Sequence, residues 1–442
     1  MTKIFYARVD EFWRKEEKYA YLDEKQHRGN VEWQELQPDA KYNWLTEGTH
    51  DAFDAFLPIG NKETKEGSDT DGAVFRNYGR GVETTRDAWL YNYQIEKLTG
   101  NIERFIDDYN EQVRKWTAQK RRATDVDDFV SYDSTRLKWS SRLKQNLVAG
   151  VIATFDPAAI RRALYRPFTS QYVYFDETLV HRRGQFPSIF PTPSIENENQ
   201  VLWIKVGSDW AMFALAVNVL PDLLPQSGSQ CFPFYTYNED GTNRRENITD
   251  WALGQFRSHY NEKSITKWDI FHYVYAVLHH PLYRERYAAN LKRELPRIPF
   301  APDFRAFADI GKRLAEIHVN YEQQPEYPLE RIEQPGAQLD WRVEKMKLSK
   351  DKRSLIYNDF LTLGGIPPEV FEYRLGNRSA LDWIIDQYQV STDKRSGITN
   401  DPNRSDDPQY IVRLIGQVIT VSFQTTTLAQ ALATKSLLSD KS

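Results

Sequence analysis

The sequence predicts a mixed α/β (α+β) protein whose β-rich centre is flanked by helices. Three observations carry this expectation. Short runs rich in β-branched and aromatic residues, TSQYVYFD, NQVLWIKVG and CFPFYTY, fall between residues 169 and 237. Apolar residues recur at three-to-four spacing before these runs and again from residue 265 onward. The 442 residues, 40% hydrophobic and 27% charged, suit a soluble globular chain of two or three domains. A change of texture after Gly150 places the expected domain boundary there, giving 1–150 and 151–442.

The elements follow in order. Residues 3–9 read as a short strand and 10–21 as the start of a helix. Asn101 is a candidate cap for a helix whose Ile102, Phe105, Ile106, Tyr109, Val113 and Trp116 share one face. Residues 137–148 predict a further helix, and NEDG at 238–241 predicts a turn after the third β-rich run. In 265–280 Ile270, Val274, Val277 and Leu278 form an apolar stripe, and Pro281 ends or kinks that helix. Residues 283–295 continue as a helix closed by Pro296 and Pro299, and Asp303 caps another with Phe307, Leu314 and Ile317 inward. The Pro- and Glu-rich stretch 323–338 reads as a connector. Ser379 caps a helix over 380–390, a polar loop follows, and 410–423 is a final amphipathic helix.

Composition excludes several classes. The single cysteine, Cys231, rules out an intrachain disulfide and a zinc site of clustered thiolates, and a reducing cytoplasm is the expected compartment. MTKIFYARVD turns polar too early for a signal peptide, and the apolar run at 210–220 is too short to span a bilayer. There is no G-x-x-x-x-G-K-[ST] loop, no G-x-S-x-G elbow and no H-E-x-x-H pair. The glycine-rich turn and Asn/Asp-Pro-Pro-aromatic loop of an adenine methyltransferase are also missing. One catalytic spacing occurs by composition: Asp39 after Pro38, then Glu63 and Lys65, imitates the PD…ExK layout of metal-dependent nucleases. His272 and His280, on an apolar helix, read as core histidines.

Net charge is −4, yet cations cluster. Residues 114–144 hold nine Lys/Arg, Arg121 and Arg122 among them, against four Asp. Arg161, Arg162, Arg166, Arg182 and Arg183 form a second group. Such clusters are either basic surface for an anionic partner or ordinary solvated faces. The stretch FRNYGRGVETTRDAW at 75–89 concentrates donors: Arg76, Arg80 and Arg86, the Thr84 and Thr85 hydroxyls, and backbone freed by Gly79 and Gly81. It reads as an anion-binding loop or a polar turn.

Five blocks then carry a resemblance. FRNYGRGVETTRDAWLYN, YRPFTSQYVYFD, QCFPFYTY, IFHYVYAVLHHPLYRERYAANLKRELPRIPF and SALDWIIDQYQVSTDKRSGITNDPN occur in this order. Together they resemble the C-terminal region of Type ISP restriction–modification enzymes and of related single-chain Type IIG enzymes. The resemblance implies a target-recognition domain that reads an asymmetric sequence in double-stranded DNA. It implies that the nuclease, the helicase-like motor and the adenine-N6 methyltransferase are supplied elsewhere. S-adenosylmethionine, magnesium and ATP would belong to those parts, with no cofactor in this chain. KIFYARVD would correspond to a late strand at the tail of the methyltransferase, and a specificity subunit, a truncated relic or an excised fragment would all fit.

Under that resemblance Arg76, Arg80, Thr84, Thr85 and Arg86 are expected to donate to phosphates, with an arginine free to take guanine. Asp87 would hold the Arg86 fork or accept from cytosine. Lys394, Arg395 and Ser396 are expected to enter a groove or to be a solvated connector. Arg244 and Arg245 at a hairpin tip, Arg182 and Arg183 after a strand, and Arg121 and Arg122 are further expected DNA contacts. Arg166, between Tyr165 and Pro167, is expected to pack structurally. The metal-dependent nuclease and a protein-binding scaffold stand as the alternatives.

Overall fold

One segment, 73–92, stitches the β-rich centre together. Its Gly79–Arg80 strand edges an antiparallel sheet whose further strands are, in order, Gln230–Pro233, Val201–Lys205 and Phe213–Val217. Its Tyr91–Asn92 strand edges a second sheet with Thr169–Tyr174 and Ile160–Arg166, to which Leu220–Pro221 adds in parallel. Every residue of Val201–Lys205 and Phe213–Val217 is buried. Covered on both faces, these strands read as apolar runs rather than alternation, apart from Lys205, whose buried Nζ donates to the Pro225 and Gly228 carbonyls. The computed structural model describes residues 3–9, 13, 15–38, 42, 44–45, 48–65, 72–119, 125–207, 210–225 and 228–438.

The chain divides into two compact units, Met1–His50 and Asp51–Ser442. The expected boundary at residue 150 lies inside the second, because the 79–80 and 91–92 strands pair with strands beyond it. In the smaller unit Ile4–Tyr6 pairs antiparallel with Gln34–Leu36, and the Lys15–Lys25 helix buries none of its residues. The 323–338 stretch is not only a connector. Glu330–Glu333 pairs with Leu361–Gly364 in a third antiparallel sheet. All its residues are exposed, so no hydrophobic alternation announces it.

Several helices begin where short polar side chains satisfy free N–H groups. The first long one is Ile95–Ala118, seven residues earlier than a cap at Asn101 suggested. Asn101 lies within it, and the Gln94 N–H donates instead to Asn92 Oδ1 at 3.0 Å. The six predicted apolar positions are all buried. Ser140 caps Ser141–Val148, Asp303 caps Phe304–Val319, and capping boxes at Thr266/Asp269 and Ser379/Asp382 open Lys267–His279 and Ala380–Gln387. Pro281 ends one helix and starts the next, Pro281–Arg286.

Lys267–His279 and Phe304–Val319 pack on each other and on the Phe213–Val217 strand, and Tyr410–Ala433 packs on Phe304–Val319. His318 bridges this layer. Its Nδ1 pairs with the Tyr275 hydroxyl, and its Nε2 lies 2.8 Å from Thr425 Oγ1. His280 is buried and stacks on Phe307 as a core histidine does, whereas His272 is half-buried and stacks on Trp268. Among the described residues no helix is long and apolar enough to cross a membrane.

Burial lowers the His279 imidazole to about 4 and holds His318 well below its ordinary range. An unfolded histidine takes its proton near pH ~6.5, so the stability each contributes is complete above that pH and is lost as pH falls toward the folded value. Asp222 acts with the opposite sign, since burial raises its carboxyl to about 7. A difference measurement separates them. Between pH ~7.5 and ~5, denaturant titration of His279→Gln should register a smaller loss than the parent, by about 2 kcal/mol. Equal losses would mean that His279 is protonated inside the fold.

Candidate nucleic-acid interface

The 84–87 turn sorts its side chains between core and surface. Thr85 has φ 60°, a left-handed conformation that β-branched residues seldom adopt. Arg86 beyond it is 1% exposed. Its Nε donates to the Lys138 carbonyl at 3.0 Å, Nη2 to Ser140 Oγ at 2.7 Å and Nη1 to the Leu179 carbonyl, and the guanidinium lies 5.4 Å from the Phe105 ring centre. Burial brings this guanidinium down to about 10, so it stays charged at neutral pH. Thr84 is likewise buried and donates to Asp87 Oδ1. Asp87 remains at the surface, its side chain 40% exposed.

Asp87 is fixed from behind. The Tyr165 hydroxyl donates to Oδ2 at 3.1 Å, and Arg166 stands 3.9 Å from the same oxygen. Arg166 in turn pairs with Asp222 Oδ2 at 2.6 Å and lies 3.8 Å from the Tyr165 ring centre, the packing role its sequence neighbours predicted.

Thr85 and Asp87 line a cleft of about 670 Å³ whose other wall is the Ser391–Thr392/Thr399–Asn400 hairpin, some 300 residues away in the chain. Asp393 closes that hairpin: its Oδ1 accepts from the Arg395 and Ser396 N–H groups at 3.2 and 2.7 Å, and from Ser396 Oγ at 2.8 Å. Although burial opposes it, these bonds hold the Asp393 carboxyl below the ordinary range. Asn400 fastens the hairpin to the first wall, accepting from the Tyr93 N–H at 3.0 Å and donating to Gln171 Oε1 at 3.1 Å. Thus two stretches singled out separately in the sequence, the 75–89 loop and the 392–404 loop, meet in one site. Thr85 Oγ1, Trp89 Nε1 and Tyr91 Oη, all from residues lining this cleft, are buried with no hydrogen-bond partner among the described residues.

A second cleft, of about 940 Å³, shares Tyr93 with the first. Arg342 and Arg404 line it beside Glu96, Asp340, Asp401 and Asp406, so acids outnumber bases there.

The remaining expected contacts scatter. Gly81 does not open its backbone to a phosphate: a Cβ there would lie 2.2 Å from the Asp222 carbonyl oxygen, so the glycine serves the approach of two chain segments. Arg76 and Arg80 are exposed, Arg80 on the sheet edge. Arg182 faces Glu83 at 3.8 Å, and Arg183 faces Glu177 at 3.3 Å. Arg244 lies 3.5 Å from Glu198 and against the Tyr235 ring, and Arg245 donates to Asn238 Oδ1 at 3.0 Å. Lys394 and Arg395 are exposed, whereas Ser396 is 8% exposed and spends its hydroxyl on Asp393. Arg121 and Arg122 lie outside the described residues, as does Asp39 of the nuclease alternative, together with the Lys65 side chain. Glu63 sits on the short Lys62–Lys65 helix rather than a strand. Among the described residues no three His, Cys, Asp or Glu side chains group as a metal site would.

One expectation therefore needs correction. The Arg86 fork and the Thr84 hydroxyl are consumed inside the fold and cannot meet a base or a phosphate. The basic clusters are not bare: Arg136 pairs with Asp108 and Glu111, Lys144 with Asp127, Arg161 with the buried Glu196, and Arg142 with Glu177. Apart from Asp127, each of these acids lies outside the stretch in which its cation clusters and is brought up by folding. Conversely Tyr165, Gln171, Gln387 and Gln389 line the cleft from within the blocks that carry the resemblance, with no donor-rich pattern of their own to mark them. Lys138 was visible only as one cation in a cluster.

A family model described as the Type ISP C-terminal specificity domain matches residues 73–414. Three solved structures are similar over 97% of this chain. A nuclease-deletion mutant of the Type ISP restriction–modification enzyme LlaGI in complex with a DNA substrate mimic is 32% identical, with a TM-score of 0.83. The DrdV–DNA complex is 34% identical with a TM-score of 0.85. The ATP-dependent Type ISP enzyme LlaBIII bound to DNA is 29% identical with a TM-score of 0.84. The chain spans 33%, 43% and 27% of those three chains respectively. No curated protein sequence matches it.

Proposed function

The chain belongs to the family of Type ISP C-terminal specificity domains, and from that premise we propose that it binds double-stranded DNA and selects its sequence. It would position an adenine-N6 methyltransferase, and with it a motor and a nuclease, over the chosen site. S-adenosylmethionine, magnesium and ATP would serve those other parts, in a cytoplasmic assembly. The observation that carries the reading is the convergence of the 85–87 turn and the 391–400 hairpin on one cleft. Its walls mix carboxylates, amides, hydroxyls and the Lys138 and Arg395 cations. Such a mixture suits base edges, which present donors and acceptors together, better than it suits phosphates alone. Lys138 and Arg395 in the cleft, with Lys394, Arg80 and Arg182 elsewhere, would set register on the backbone.

The test is selection from a random duplex library by the purified chain, followed by salt titration. The wild type should enrich one motif. Lys138→Ala should weaken motif and scrambled duplexes alike and lower the slope of log affinity against log salt by about 1. Equal binding of every duplex by the wild type would remove the sequence-reading role.

A further inference from the structure

Within Thr84-Thr85-Arg86-Asp87 a single left-handed residue, Thr85, divides the labour: the arginine turns into the core and the aspartate faces the cleft. Both carboxylate oxygens are oriented, Oδ1 by Thr84 and Oδ2 by Tyr165 with Arg166 behind it. A carboxylate offers about four acceptor positions, so capacity remains on the exposed side. The surroundings decide which donor it takes. Lys138 and Arg395 share the cleft with Asp393 and with Asp386, which Arg378 already pairs, but Asp87 as a carboxylate only accepts, so a phosphate oxygen brought to it would meet a like charge and no donor. The exocyclic amino group of cytosine or adenine is a neutral donor, and a carboxylate accepting from cytosine N4 is an established pairing.

Resting on the recognition reading above, we infer that Asp87 is a specificity-determining residue that accepts a hydrogen bond from the exocyclic amine of one base, cytosine N4 or adenine N6. Tyr165 and Arg166 are positioning residues that keep its oxygens aimed. The partner is one amino-bearing base within a duplex site.

Selection from a random duplex library with the wild-type chain, Asp87→Ala and Tyr165→Phe tests this. The wild type enriches a motif with cytosine or adenine at one position. Asp87→Ala, which has no side-chain acceptor, loses the preference at that position, keeps the others and retains the parental salt slope. Tyr165→Phe blunts the same position and no other. A second arm leaves the protein unaltered: the amino group of that base is replaced by hydrogen in the DNA. Wild-type affinity then falls about 5- to 150-fold, while Asp87→Ala binds both duplexes equally. The assignment is overturned if Asp87→Ala enriches the parental motif at every position, if its loss is uniform over all duplexes, or if the wild type ignores the missing amine. A wild type that enriches no motif overturns the recognition reading itself, and this assignment with it.

Discussion

Replacing Arg86 by alanine is expected to destabilise the 51–442 unit by about 3–4 kcal/mol, one of the largest effects of any single substitution near the cleft. The guanidinium supplies donors to two carbonyls and a hydroxyl in a site closed to solvent. Truncation leaves those acceptors without a partner and opens a void beside Phe105. Arg86→Lys should recover little, because an ammonium on a flexible stem cannot reproduce a planar fork spread over three acceptors. The fork holds only the Lys138 backbone carbonyl, so the Lys138 side chain keeps its place in the cleft once the variant is folded. Chemical denaturation followed by tryptophan fluorescence reads the stability loss, and duplex binding at a temperature where the variant is folded reads the function. Affinity per folded molecule should stay near the parental value. A variant that melts with the parent yet loses its base preference would return Arg86 to the DNA.

That outcome would also bear on how far the sequence could be read. The β-rich runs, the caps at Asp303 and Ser379 and the apolar faces were legible because each is a local pattern: Asp303 and Ser379 stand directly before their helices, and the 102–116 stripe lies within a few turns of chain. The Glu330–Glu333 strand was not, because an exposed edge strand needs no apolar alternation. Candidate site residues divide on the same principle. The two loops that form the cleft were both recognisable as donor-rich, but their meeting depends on Asn400 reaching Tyr93 and Gln171. Composition could not assign inward and outward roles within T-T-R-D. A conformation at Thr85 that sequence statistics disfavour makes that assignment, and it places the acid, not the base, at the surface.

Gly311→Ala is expected to cost about 3 kcal/mol or more, although alanine is the better helix former. On propensity alone the exchange should gain roughly 1 kcal/mol. The crossing of Phe304–Val319 with Lys267–His279 reverses the sign. A Cβ on Gly311 would fall 1.9 Å from the His272 carbonyl oxygen and 3.1 Å from the Ala276 nitrogen. Both obstacles are backbone of a continuous helix, so no side chain can swing aside, and relief requires the helices to part. Parting them loosens the seat of His318, whose contacts with Tyr275 and Thr425 span three helices, and the packing against the Phe213–Val217 strand. Overpacking of this kind commonly costs ~1–3 kcal/mol, and a clash with rigid backbone belongs at the upper end. Gly254→Ala is the matched control: it too lies in a helix, Asp250–Tyr260, and a Cβ there meets nothing within 4 Å. It should raise the denaturation midpoint while Gly311→Ala lowers it. Two midpoints shifted in the same direction would show that propensity outweighs the crossing, and that these helices do not touch as closely as Gly311 requires.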